Sequence, residues 1–148
     1  MKLCDACRDG DLSLAQTAVS QGAGINDCKS YSVCGETPLM MSVVNNHPSI
    51  TRYLLGCDNI DTNIATSEDY IVNSSGWTVL YCIQDKTPPD IIKTILDKSD
   101  TEVINKKNSD NRTPLMCAVF YGRMEVVRIF SEYPRFNWDK EELLKVAR

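Results

Sequence analysis

The cysteines are the residues of this chain whose type and spacing could most directly do chemistry. Cys4 and Cys7 form a CxxC pair near the N-terminus, and Cys28 and Cys34 follow at a wider spacing. Four thiolates can bind zinc tetrahedrally, and paired thiols can respond to oxidants. The competing interpretation is core packing, because Cys4 and Cys7 lie three apart on a predicted helix and cysteine packs well as a small buried residue. A zinc- or redox-responsive module is therefore the alternative function.

Acid–base and nucleophilic chemistry has little support in the sequence. The chain contains one histidine, His47, so a Cys–His or Ser–His pair could use only that residue. We interpret His47 as a turn or helix-start residue. The segment Gly22-Ala23-Gly24 lacks the remaining pattern of a phosphate-binding loop. Asp139, Glu141 and Glu142 are most simply the acidic start of a helix. The motifs thus predict no enzyme, no cofactor and no assigned metal site.

Composition and charge restrict the partners further. The chain has 148 residues, the length of one ordinary domain, with 43% hydrophobic and 24% charged residues, which is typical of a folded protein. Its net charge is −4 and its lysines and arginines are scattered, which argues against nucleic acid. No apolar run has membrane-spanning length, and the N-terminus does not resemble a signal peptide. Seven cysteines, an odd number, favour reduced thiols in the cytoplasm or nucleus.

The elements that must position these residues are clearest in residues 111–130. Thr113 is a good N-cap, Pro114 suits the first helical position, and Gly122 can end the helix in a left-handed conformation. A second apolar stripe then ends at Phe130. Because two helices of this size cannot bury their apolar faces alone, we expect the pattern to recur.

The same opening does recur along the chain. Thr37-Pro38-Leu39 and Thr78-Val79-Leu80 match Thr113-Pro114-Leu115, and each is followed by a paired apolar stripe. A weaker first copy begins at Leu3 and lacks Thr-Pro. Such a stacked array predicts four units at about 2–26, 35–63, 76–105 and 108–137, with a C-terminal capping helix at about 140–146.

The repeated unit resembles the ankyrin repeat, on the residues Thr37-Pro38-Leu39-Met40, Thr113-Pro114-Leu115-Met116 and the weaker Trp77-Thr78-Val79-Leu80. The resemblance covers about residues 2–137. It implies a single all-α domain, a solenoid of helix–turn–helix units with protruding loops or short β-hairpins. Met40, Tyr81 and Met116 replace the family's histidine, so we expect its usual hydrogen bond between units to be absent. Cys82 and Cys117 fall at equivalent positions, which favours core packing.

The resemblance also implies a function. Ankyrin arrays are protein-binding scaffolds without chemistry of their own, and they use the concave face, made by loop tips and the exposed ends of the first helices. Matched position by position, the candidate contact residues are Glu36, Val44, Asn45, Trp77, Asp85, Lys86, Asp110, Arg112, Phe120 and Tyr121. Aromatic residues and arginine are enriched in interface hot spots, so we expect the centre to lie on units three and four.

Two structural alternatives remain open for these aromatic residues. Phe120 or Tyr121 could pack under the neighbouring loop, and Trp77 could shield its own hairpin. The partner is expected to be another protein, whose identity a fold does not give, and the chain is expected to be monomeric by itself, without nucleic acid or membrane contacts.

Overall fold

The computed structural model describes residues 2–27, 35–66, 76–137 and 139–147, and in this part of the chain every regular element is a helix. The helices are α1 (Lys2–Asp9), α2 (Leu12–Ser20), α3 (Pro38–Val44), α4 (Pro48–Leu55), α5 (Val79–Cys82), α6 (Pro89–Lys98), α7 (Thr101–Asn105), α8 (Pro114–Phe120), α9 (Met124–Glu132) and α10 (Lys140–Ala147).

The helices pack in pairs that stack on one another. We call α1–α2, α3–α4, α5–α6 and α8–α9 units one to four. The first helices contact each other in the order α1, α3, α5, α8, and the second helices α2, α4 and α6 form a parallel row. Helix α10 packs on α8, the place that the first helix of a following unit would take, and so covers the end of unit four.

The core lies between the two rows of helices. The apolar stripes predicted for the second helices face inward, and Leu54 of α4, Ile95 of α6 and Phe130 of α9 are each 0% exposed. Because each unit buries its stripe partly against the next one, the stack depends on contacts between units, at about 25 cal/mol for each Å² of apolar surface removed from water.

Helices α3 and α8 begin as the Thr-Pro motif predicts. Thr37 Oγ1 accepts a hydrogen bond from Met40 N at 3.2 Å, and Thr113 Oγ1 accepts one from Met116 N at 3.3 Å. A proline follows each threonine at the first helical position. Both first helices are therefore capped by their own sequence.

The turn after α3 confirms the structural interpretation of His47. Asn46 adopts the predicted left-handed conformation, with φ 57°, and His47 is the N-cap of α4. His47 Nε2 lies 2.9 Å from the carbonyl oxygen of Arg8 at the end of α1. A Cβ added at Gly10 would lie 2.6 Å from the His47 ring, so glycine leaves the space that this contact between units one and two needs.

Unit three begins differently. Helix α5 has four residues, and Thr78 makes no side-chain cap although it occupies the N-cap position. The Thr78 hydroxyl is buried and has no hydrogen-bond partner. Val79 stands where the other units have proline, so α5 receives neither of the two local supports of α3 and α8.

Tyr81, which stands where the family has histidine, makes a different polar contact that the sequence did not indicate. The Tyr81 hydroxyl oxygen lies 2.8 Å from the Lys106 carbonyl oxygen and 3.0 Å from that of Arg112. The Tyr81 ring is buried in unit three, and its hydroxyl oxygen reaches the loop that precedes unit four. Tyr81 thus restores a polar contact between units by another route.

The connections between units hold one additional helix. Helix α7 lies in residues 97–111, which the sequence indicated only as the connection into unit four. No β-strand occurs in the described residues. Thr66 N donates to the Trp77 carbonyl at 2.9 Å and Gly76 N donates to the Thr66 carbonyl at 3.0 Å, while Asn108 N donates to the Arg112 carbonyl at 2.8 Å. The connections before units three and four are therefore held by backbone bonds, in keeping with the expected protruding loops. Residues 28–34 and 67–75 lie outside the described residues.

Candidate functional site

Phe120 and Tyr121 lie at the end of α8 and are exposed. Phe120 is the last residue of the helix and Tyr121 its C-cap, and they are 47% and 50% exposed. Their rings meet edge to face with centroids 5.1 Å apart, a favourable aromatic geometry. Leu115 and Ala118, on the opposite side of α8, are buried in the core, so the aromatic pair projects outward. The structure therefore does not place either ring under a neighbouring loop.

Each ring of the pair carries an arginine. The guanidinium carbon of Arg112 lies 3.9 Å from the centroid of the Phe120 ring, and that of Arg123 lies 5.0 Å from the centroid of the Tyr121 ring. Such cation–π contacts contribute about 0.5–1 kcal/mol at exposed sites. The four side chains form one cluster, which we call the aromatic–arginine cluster.

The loop that carries Arg112 is held by a buried asparagine. Asn108 is 7% exposed, and its Oδ1 accepts hydrogen bonds from Asp110 N at 3.0 Å and Arg112 N at 3.1 Å. Asp110 is exposed at the tip of this loop. Asn108 was not among the predicted contact residues; its position two residues before Asp110 and four before Arg112 was the available signal for a side-chain-stabilised turn.

A groove separates the aromatic–arginine cluster from unit three. Its walls are residues 84–86 on one side and residues 121–123 on the other, and its volume is about 560 Å³. The predicted residues Asp85 and Lys86 thus face the predicted residue Tyr121 across the junction between units three and four. Both Asp85 and Lys86 are exposed.

Asp85 has a structural contact in addition to its exposed position. Its Oδ1 accepts hydrogen bonds from the backbone N–H groups of Glu125 at 3.1 Å and Val126 at 3.3 Å, at the start of α9. A carboxylate there satisfies unpaired donors and complements the helix dipole. Asp85 of unit three therefore caps the second helix of unit four.

Arg123 of unit four contacts unit three across the same junction. Its Nη1 donates to the carbonyl oxygens of Tyr81 at 2.9 Å and Ile83 at 3.0 Å, at the end of α5. Arg123 was not among the predicted contact residues. It follows Gly122 as His47 follows Asn46, and this equivalence was the signal that could have identified it.

The predicted residues of unit two lie farther from the cluster. Val44, at the end of α3, is 41% exposed, and Asn45 Nδ2 donates to the Met41 carbonyl at 2.8 Å. Gln84 Nε2 lies 3.5 Å from the Val44 carbonyl oxygen, which connects this position to the groove. Glu36, before α3, is half-buried.

Trp77 is packed rather than presented. It is half-buried, and its ring centroid lies 5.3 Å from that of Tyr81. Its indole nitrogen is buried and has no hydrogen-bond partner. Trp77 packs on Tyr81 of its own unit, so it differs from the exposed pair Phe120 and Tyr121.

The cysteines do not form a reactive cluster in the described part of the chain. Cys7 is 0% exposed, and burial raises the pKa of its thiol to about 12. The Cys4 thiol lies 3.8 Å from the Asp27 carbonyl oxygen. The full burial of Cys7 corresponds to the alternative of core packing. Cys28 and Cys34, the other proposed ligands, lie outside the described residues.

The remaining thiols behave as packing groups. Burial raises the pKa of the Cys82 thiol to about 12 and also raises that of Cys117. Where the structure describes the chain, no three His, Cys, Asp or Glu side chains group closely enough to hold a metal ion. None of the described helices has the length and apolar character needed to cross a membrane.

Stacked helix–turn–helix pairs with a groove at the ends of their first helices define an α-helical repeat protein. A family model of three ankyrin repeats matches residues 3–105, and it matches residues 66–142 as well. The chain belongs to the ankyrin repeat family. Ankyrin repeats are generally protein–protein interaction modules, and the family is typically non-catalytic.

Proposed function

We propose that this protein is a non-catalytic scaffold that binds another protein through the face bearing the loop tips and the ends of the first helices. The binding centre in this proposal is the aromatic–arginine cluster with the groove beside it. The supporting observation is that Phe120 and Tyr121 are about half exposed although they are held in a fixed edge-to-face pair. Aromatic side chains ordered before binding lose little entropy on contact, which favours a hot spot.

The other predicted contact residues have different roles in this proposal. Lys86 is part of the groove wall and Asp110 lies at the edge of the centre, and Val44 and Asn45 extend it toward unit two. Asp85 contributes by holding units three and four together, and Trp77 by packing on Tyr81 within unit three. We place the protein in a reducing compartment, the cytoplasm or nucleus, on the basis of its seven cysteines, of which the five described are free thiols.

The proposal is tested by comparing the proteins and peptides captured by the wild type with those captured by the double variant Phe120→Ala/Tyr121→Ala. Met124→Ala is the matched control, since Met124 is 69% exposed on the next helix and lies outside the groove. We expect the double variant to lose specific capture by at least tenfold while its thermal melt stays close to that of the wild type. Equal capture by all three proteins would refute the proposed centre.

The zinc- or redox-responsive alternative has no observation in the described residues that favours it. It has a direct test in metal analysis of the purified protein, combined with an oxidant-dependent change in the melt. Bound zinc at one equivalent, lost on Cys4→Ser, would establish it. If the purified protein contains no zinc and its melt does not change with oxidant, the alternative is excluded.

A further inference from the structure

In the described part of the chain, neither arginine of the cluster forms an ion pair with a carboxylate. The basic side chains that form ion pairs with carboxylates in the described residues are Arg8, Arg52, Lys107 and Arg128. Arg112 and Arg123 contact aromatic rings instead, and Arg123 also contacts backbone carbonyls. Lys86, on the opposite wall of the groove, is exposed and likewise has no ion pair among the described residues.

Two carboxylates beside the groove have partners of their own. Asp85 accepts two backbone N–H groups at the positive end of α9. Glu125 pairs with Arg128 at 2.9 Å. Asp110 adds a further negative charge at the loop tip. Of the residues that line the groove, Lys86 and Arg123 are basic and Asp85 is acidic, so this lining carries one excess positive charge in a chain whose net charge is −4.

Accepting the binding centre proposed above, we infer that its occupant is an acidic peptide segment of the partner. In this arrangement an aromatic or aliphatic side chain of the peptide lies against Phe120 and Tyr121, and neighbouring Asp or Glu carboxylates reach Lys86 and Arg112. Arginine and carboxylate match as planar, bidentate groups. The groove, of about 560 Å³, is open to solvent, which suits a peptide segment bound at the surface rather than an enclosed small molecule.

The net charge of the chain opposes an acidic partner only at long range. At physiological ionic strength the screening length is about 8 Å, so the charges lining the groove dominate once the peptide is close. The acidic chain consequently slows the approach of the peptide, while the groove stabilises the bound state.

A selection from a displayed library of random peptides tests this inference without knowledge of the natural partner. The library is panned on the wild type, and peptides that also bind Phe120→Ala/Tyr121→Ala are discarded. We expect the remaining peptides to combine Asp and Glu with an aromatic or aliphatic residue. Peptides without an acidic excess would overturn the inference but keep the binding centre. If no peptide depends on the two aromatic residues, the binding centre itself fails.

The strongest peptide is then synthesised and titrated against Lys86→Gln, Arg112→Gln and the control Lys93→Gln, which removes an exposed charge from α6 outside the groove. We expect about fivefold weaker binding for Lys86→Gln, which changes a groove wall, and for Arg112→Gln, which changes the cluster beside it, from the loss of one exposed charge pair in each, and no change for the control. Circular dichroism confirms that each variant is folded. Unchanged binding by both Lys86→Gln and Arg112→Gln, or displacement of the peptide by a short single-stranded DNA at equal concentration, would overturn the assignment of an acidic peptide.

Discussion

The first helices of units three and four perform the same task with different support. Helix α8 has seven residues and begins with a capping threonine and a proline. Helix α5 has four residues, and its N-cap threonine hydroxyl is buried without a partner. By local sequence α8 should form readily and α5 should not. The stability of α5 must therefore come from its neighbours.

Unit four supplies much of that support. Arg123 donates to two carbonyls at the end of α5, and the Tyr81 hydroxyl reaches the loop before α8. In the opposite direction, Asp85 of unit three caps α9 of unit four. The contacts that hold the weak helix are thus made by the same segment that carries the proposed binding centre. We infer that a loss of order in α5 also widens the groove.

The largest effect is expected from Arg123→Gln. This change removes a charged donor from the two carbonyls of α5 and should destabilise the protein by about 2 kcal/mol, since hydrogen bonds from charged groups contribute about 1.5–3 kcal/mol. The measurement is the urea midpoint together with hydrogen exchange in residues 79–83. Arg128→Gln serves as the control because Arg128 makes only exposed ion pairs, worth about 0–1 kcal/mol.

Two outcomes would count against this account of the junction. One is an Arg123→Gln variant no less stable than Arg128→Gln. The other is faster exchange across all helices alike, because the proposed role predicts that α5 opens first.

A smaller loss, about 1–1.5 kcal/mol, is expected from Tyr81→Phe. The ring still fills its buried site, but the carbonyls of Lys106 and Arg112 lose a donor. Tyr121→Phe is the matched control, since that hydroxyl belongs to a half-exposed side chain and its removal should change stability by less than about 0.5 kcal/mol. Chemical denaturation of both variants gives the difference; equal midpoints would mean that the Tyr81 hydroxyl adds nothing to the junction.

Much of the fold could be predicted because its signals are local. Thr37 and Thr113 cap the helices that they were predicted to start, and the apolar stripes of the second helices face the core. Helix α7 was missed because five residues, Thr101–Asn105, are too few to show a helical period. The cross-unit bond of Tyr81 was missed because the sequence shows that histidine is absent but not how far another side chain reaches.

The candidate site was only partly accessible from sequence. The exposure of Phe120 and Tyr121 followed from their place in the repeat, since no core position requires an aromatic residue there. Asp85 and Arg123 act across about 40 residues, so their contacts need the stacked structure. Trp77 precedes the N-cap of α5, so no helical spacing indicated its contact with Tyr81.

The smallest effects should come from the two N-cap threonines, and they should have opposite signs. Thr113→Val removes the bond to Met116 N and should cost about 1 kcal/mol. Thr78→Val removes a buried hydroxyl that has no partner, at an extended residue that suits a β-branched side chain, and should be neutral or stabilise by up to about 1 kcal/mol. Thermal melts of the two variants measure the difference. Equal losses at both positions would mean that Thr78 caps α5 as Thr113 caps α8, and the contrast between the two units would then lie in proline and helix length alone.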